Sequence, residues 1–219
     1  MFSPDGTQIV SVFRNTMILS DVASGKEIRI FSGHTGEVTA VVFSPDGTHI
    51  ISGSGNGDGT IRVWDASGGQ EIRTLPVDKG VIKSIAFSPD GTQVLSYSIG
   101  GNFLSPPTVS LVDFSTGQIM RKLTDVHNPF FSRDGNHLMY HRDRATSITI
   151  EDTTSGQRIR TIALPNTYRL PDTLYSPLVL SQDRERLLVT AVPPTPYGIK
   201  RLIQYDSTTG REIRTKTTL

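Results

Sequence analysis

The chain has 219 residues, 22 Lys+Arg against 21 Asp+Glu, and 36% apolar residues. That balance excludes a global field for nucleic acid or an anionic membrane, and no apolar run reaches the ~18 residues of a spanning helix. The absence of cysteine removes disulfides, Cys-ligated zinc and thiol catalysis together, and it fits a reducing, cytoplasmic setting. Residues 1–18 also lack the basic start and apolar stretch of a secretory signal.

In chain order, two short motifs alternate. The first is FSPDG at 2–6, 43–47 and 87–91, then FSRDG at 131–135 and the worn LSQDR at 180–184. The second has Asp followed four positions later by Gly: DVASG at 21–25, DASGG at 65–69, DFSTG at 113–117, DTTSG at 152–156 and DSTTG at 206–210. Both are turn chemistry. Proline presets φ for the first central position of a type I turn, Asp bonds nearby backbone, and Gly takes the left-handed conformation. The intervening segments, such as HIISGS, TIRVW and EIRTL, are short, rich in β-branched residues and alternate with period two, as strands do.

Each repeat of about 44 residues therefore predicts four antiparallel strands. We designate them a to d: before FSPDG, after it, up to the second Asp, and from the EIR-type segment onward. A four-stranded sheet cannot bury both faces by itself, and radial stacking gives each sheet two neighbours. The expected fold is all-β, a β-propeller of about five four-stranded blades in a single domain. The expected units are 1–31 (partial), 32–75, 76–123, 124–163 and 164–219. The first blade lacks its inner strand, because MFSPDG begins at a turn, and we expect an open arc or part of a larger ring. An uncovered inner edge invites pairing with another chain or with further blades of a longer one.

Residues 32–75 closely resemble a complete WD repeat: Gly33-His34, FSPDG, SGS, and DGTIRVWD with Trp64 and Asp65. The other units keep the turns and lose the rest, with Ser20, Val112, Glu151 and Tyr205 at the Trp64 position and Asp78 at that of His34. The resemblance implies a structural tetrad of His34, Ser52, Asp58 and Trp64 that stiffens the blade. It also implies a protein-interaction scaffold, of the bacterial style often appended to kinase, protease or signalling domains.

Three chemical readings compete with that one. Ser52, His34 and Asp58 are the residue types of a nucleophilic triad, but the resemblance ties them to a tryptophan inside a blade, with no oxyanion hole beside them. Residues 54–65 imitate a calcium loop through Asn56, Asp58, Gly59 and Asp65, but Ser54 stands where the first carboxylate is needed and strands flank the loop. His137 and His141, four apart on a strand, would lie ~13 Å apart, too far for one metal. No cofactor and no metal site is expected.

Recognition is expected at the variable end of the blades, in the loops joining strand b to c and each d to the next a. These bring Phe103, Arg142, Arg144, Tyr168, Arg169, Tyr197, Lys200 and Arg201 to a candidate interaction rim, rich in anchoring residue types. The expected function is a non-catalytic scaffold for a protein or peptide partner, with no nucleic acid and no membrane. The alternatives are a fragment of a larger multidomain enzyme or signalling protein, and an envelope-associated periplasmic propeller.

Overall fold

The structure is a computed structural model that describes the chain except residues 56, 78–79, 101–104, 143–146, 164–177, 181–185, 192–199, 207–210 and 219. At 178–180, 186–191, 200–202 and 215–218 it describes the backbone alone. The chain forms two compact units, Met1–Thr124 and Asp125–Leu219. Among the described residues all regular structure is β.

The first unit holds three sheets. Sheet one is β1 (Gln8–Phe13), β2 (Thr16–Asp21) and β3 (Glu27–Ser32). Sheet two is β4 (Val38–Phe43), β5 (His49–Ser54), β6 (Ile61–Asp65) and β7 (Glu71–Leu75). Sheet three is β8 (Val81–Phe87), β9 (Gln93–Ile99), β10 (Thr108–Asp113) and β11 (Ile119–Thr124). All are antiparallel meanders. In sheet one only a stub of the inner strand is present, where Met1 and Val10 exchange backbone hydrogen bonds and Phe2 bridges Ile9.

Successive side chains of a strand point to opposite faces, and the inner strands of sheet two carry apolar residues on both. Val10, Met17, Leu19 and Phe31 of sheet one pack against Val38, Phe43, Ile50 and Trp64 of sheet two. From the opposite face of sheet two, Ile51, Ile61, Val63 and Leu75 pack against Ile82, Phe87, Val94 and Val112 of sheet three. Each such side chain, once fully buried, contributes about 1.5–3 kcal/mol. The core is thus distributed between successive sheets, the arrangement of propeller blades.

The second unit holds two sheets of the same form. Sheet four is β12 (Val126–Phe131), β13 (His137–Arg142), β14 (Ser147–Asp152) and β15 (Arg158–Ala163). Sheet five is β16 (Leu178–Leu180), β17 (Arg186–Ala191), β18 (Lys200–Asp206) and β19 (Glu212–Thr218). Leu138, Met139, Tyr140, Ile148, Ile150 and Ile162 are buried in sheet four.

The two repeated motifs close one end of the sheets. In the first, Gly6, Gly47, Gly91 and Gly135 donate to the serine carbonyl three residues back with φ of 72° to 79°. The serine side chain does more than sequence suggests. Ser44 Oγ donates to Asp46, accepts the His49 amide, and repeats this geometry at Ser3, Ser88 and Ser132. In the second motif, Gly25, Gly69, Gly117 and Gly156 donate to the Asp carbonyl four residues back. Each of these turns coincides with a β-bulge, at Leu19/Ser20, Val63/Trp64, Leu111/Val112 and Ile150/Glu151. The two turns of a sheet are joined by amide bonds such as Ala66 to the Thr48 carbonyl and Phe114 to that of Thr92.

Candidate functional site

The extra glycines of the SGSGNGDG segment let the chain fold back, so that Asp58 reaches over sheet two toward His34. His34 Nδ1 lies 2.7 Å from Asp58 Oδ2, His34 Nε2 lies 2.6 Å from Ser52 Oγ, and Trp64 Nε1 donates to the same Ser52 Oγ at 2.8 Å. The structure therefore brings together all four residues of the expected set. Donor chemistry orders the protons. An indole N–H can only donate, so Ser52 accepts from Trp64 and donates its own proton to His34 Nε2, leaving Nδ1–H for the carboxylate.

Burial holds the His34 ring below its ordinary range for protonation, against the raising influence of the Asp58 carboxylate. For Asp58, burial would raise the value, but hydrogen bonds from Thr60, His34 and the Thr35 amide overcome it and keep the carboxylate ionised. Thr60 was not singled out from sequence. Its signal is the threonine after DG, two residues from the carboxylate it serves. Asn15, on the short β1–β2 hairpin where Arg14 has φ of 54°, donates to the His34 carbonyl at 3.1 Å. Its signal was the compact hairpin itself.

The triad geometry is present, but its nucleophile is closed off. Ser52 is fully buried, and its hydroxyl accepts the indole proton while donating to His34, so burial closes it to an incoming carbonyl. Packing is tight on both sides. A Cβ on Gly33 would approach the Trp64 ring at 3.0 Å, and one on Gly53 would lie 2.5 Å from Ile82. At the calcium-like segment, both Asp58 oxygens are engaged within the sheet, and Asn56 lies outside the described residues. Among the described residues no group of three or more metal-type side chains converges.

Sheet four fills the corresponding positions differently. By strand register Tyr140 stands where Ser52 stands and Glu151 where Trp64 stands, and Tyr140 donates to Glu151 at 2.5 Å. Burial, then the carboxylate, push the phenol up to about 12. His141 stacks on His127 with ring centroids 5.4 Å apart, whereas His137 lies 4.0 Å from Asp134. The two histidines of HLMYH thus have separate neighbours.

At the turn end, a cleft of about 530 Å³ is lined by Ser3, Asp5, Asp46, Thr48, Asp65 and Ser67, among others. Its three carboxylates are occupied by their own turns: Asp5 by Ser3 and Thr7, Asp46 by Ser44 and Thr48, and Asp65 by Ser67 and the Gly68 amide. Of the expected rim, Arg142 ends β13, is exposed, and places its guanidinium 5.8 Å over the Tyr140 ring. Lys200 and Arg201 begin β18, with their side chains outside the described set. Phe103, Arg144, Tyr168, Arg169 and Tyr197 lie outside the described residues.

Four-stranded antiparallel sheets stacked like blades, closed at one end by paired Asp–Gly turns, define a repeat protein of propeller type. Residues 25–65 and 69–102 match the family model described as WD domain, G-beta repeat, and these stretches are WD repeats. A stretch of 63 residues, 29% of this chain, is 41% identical to an uncharacterised WD repeat-containing protein of Synechocystis sp.. It spans 18% of that relative's length.

Proposed function

We propose that the chain is a non-catalytic interaction scaffold that presents the variable loops opposite the hydrogen-bonded turns to a protein or peptide partner. The observation that carries this reading is the contrast within one polar set: Ser52, His34 and Asp58 have triad connectivity, yet every bond is spent inside the sheet. Such a set rigidifies a blade, and a rigid blade lowers the ordering cost of recognition by its loops. Arg142, Lys200 and Arg201 are the residues of the rim we assign to partner contact, with the two arginines as its anchors, since arginine is a residue type that anchors interfaces.

The test is selection of peptides on the intact chain from a display library, followed by Arg142→Ala, Lys200→Ala and Arg201→Ala together. Affinity reduced tenfold or more at an unchanged melting point supports the proposal. Unchanged affinity for every selected peptide overturns the rim assignment.

A further inference from the structure

One corner of the repeat is plugged by an aromatic ring between sheets two and three and left open between sheets one and two. Phe114, the residue after the Asp of its turn, has its ring centroid 5.0 Å from that of Phe87 and 5.3 Å from that of His49, both edge-on. The Arg73 guanidinium lies 5.1 Å over the same ring and donates from Nη1 to the Ser115 carbonyl at 2.9 Å. At the corresponding positions one sheet earlier stand Ala66 for Phe114, Phe43 for Phe87, Gln8 for His49 and Arg29 for Arg73. The backbone at the two corners is the same, because the Ala66 amide donates to the Thr48 carbonyl as the Phe114 amide does to that of Thr92. Only the filling differs. A methyl group replaces the benzyl group, an amide side chain replaces the imidazole, and Arg29 donates from Nη1 to the Gly68 carbonyl at 2.9 Å.

The space left at the open corner is the cleft of about 530 Å³ at the turn end, lined by Asp5, Gln8, Asp46, Thr48, Asp65 and Ala66 among others. Its volume falls within the roughly 300–1,000 Å³ of ordinary ligand sites. Ala66 is 7% exposed and belongs to the apolar cluster of Phe43 and Trp64, so the cleft reaches down to that core. Its rim is anionic. Hydrogen bonds led by those from Ser3, Ser44 and the Gly68 amide hold Asp5, Asp46 and Asp65, respectively, below the ordinary carboxylate range. These bonds fall on Oδ1 of Asp46 and of Asp65, and Oδ2 of each accepts none among the described residues. The side-chain amide of Gln8 makes none there either, and no Lys or Arg is among the lining residues.

We propose that this cleft is a second docking site, at the end of the sheets opposite the variable loops, for a segment of a partner protein that carries a tryptophan or tyrosine beside a lysine or arginine. The ring lies over Ala66, in the place that Phe114 fills one sheet further on. Its N–H or O–H, which an aromatic side chain needs to satisfy once buried, meets the free Gln8 amide oxygen. The neighbouring cation pairs with Oδ2 of Asp46 or Asp65. Shape thus selects the ring and charge selects its flank, since three ionised carboxylates repel an acidic segment. The site is separate from the loop rim and uses none of its residues.

The test titrates the intact, nitrogen-15-labelled chain with acetyl-Lys-Trp-Lys-amide and follows the amide signals of Gly47, Thr48, Ala66 and Ser67. Saturable shifts at these signals are expected, with acetyl-Lys-Ala-Lys-amide and acetyl-Glu-Trp-Glu-amide each binding at least ~10-fold more weakly. Ala66→Phe, which installs the ring that sheet three carries, is expected to weaken binding by at least ~10-fold at an undiminished melting point. Should that variant fail to fold, nuclear Overhauser contacts between the Ala66 methyl of the unsubstituted chain and the indole protons of the peptide decide: their presence supports the site and their absence overturns it. Equal affinity for the alanine peptide overturns the proposal, because attraction to the acidic rim alone then explains binding. So does tryptamine binding as tightly as the peptide, since a small aromatic cation is then the occupant, and so does the lack of any saturable shift. Combined Arg142→Ala, Lys200→Ala and Arg201→Ala should leave this titration unchanged, and a loss of affinity there would place the peptide on the loop rim instead.

Discussion

Ser52 sits between two groups that cannot exchange roles. Trp64 can only donate to it, and His34, kept neutral by burial, can only accept from it once its other nitrogen serves Asp58. Ser52→Ala strands two buried polar atoms at once and is expected to destabilise by about 2–4 kcal/mol in urea unfolding. It is expected to leave any ester hydrolysis by the preparation unchanged, and a Ser52-dependent rate would refute the scaffold reading. The set also predicts a pH response. A histidine whose protonation the fold disfavours contributes stability that is fully present above its unfolded value near 6.5 and lost as pH falls below it. Asp58, held down by its hydrogen bonds, adds a further loss below about pH 4. Stability followed by Trp64 fluorescence should therefore be level from pH 8 to about 7 and decline on acidification, and a rise between pH 7 and 5 would contradict the assignment. The four members were legible in sequence by resemblance, because the GH, SGS, DG and WD motifs carry them. Thr60 and Asn15 were not, because a Thr after a turn and an Asn in a hairpin acquire a role only when the chain folds back over His34.

Each sheet is bounded by turns whose bonds are local, which is why so much of the element level could be read directly. Pro, Asp and Gly of SPDG announce the turn, and the Ser adds a bond to the amide five residues on, as in Ser88 to Gln93. Ser88→Ala is expected to cost about 1–2 kcal/mol and to speed exchange of the Gln93 amide, with Asp90 losing its shortest partner. The antiparallel order of the strands followed from the two turn motifs, but the bulge one residue before each second motif did not, since a bulge depends on how the Asp–Gly turn closes rather than on polarity. Gly53 shows the limit of strand patterning. Glycine weakens an isolated strand, yet here the carbonyl of Gly53 accepts from Thr39 and its missing Cβ admits Ile82 of the next sheet. Gly53→Val should cost several kcal/mol through overpacking. Full retention of the melting point would mean that the two sheets separate there without loss.

Across the first unit, stability is divided between two interfaces of neighbouring sheets rather than held in one core. Repeat arrays of this kind couple each unit mainly to its neighbours. Substitutions at Trp64 should then act on sheets one and two, whose shared cluster includes Phe31 at 5.9 Å from the indole, more than on sheet four. Trp64→Phe is expected to cost about 2–4 kcal/mol, with loss of exchange protection concentrated in residues 8–65. Uniform loss across both compact units would instead signal one cooperative block. Sheet four, with Tyr140 and Glu151 in place of serine and tryptophan, has its own polar link. Its phenol titrates near 12, so the contribution of that group is complete below pH 10 and falls away only in strong alkali.

What the residues determined alone are the features whose causes are local: the turns, the alternation, the four-strand unit and its fivefold recurrence. The four-residue set was readable by resemblance to a motif. Only the tertiary structure decided that Ser52 is sealed by Trp64, that Tyr140 meets Glu151 across sheet four, and that Arg29 and Arg73 reach turns of the following sheet. The first two contacts cross neighbouring strands of one sheet and depend on pairing register, whereas the two arginines reach backbone carbonyls 39 and 42 positions away that are selected by the stacking of faces, which no local spacing encodes.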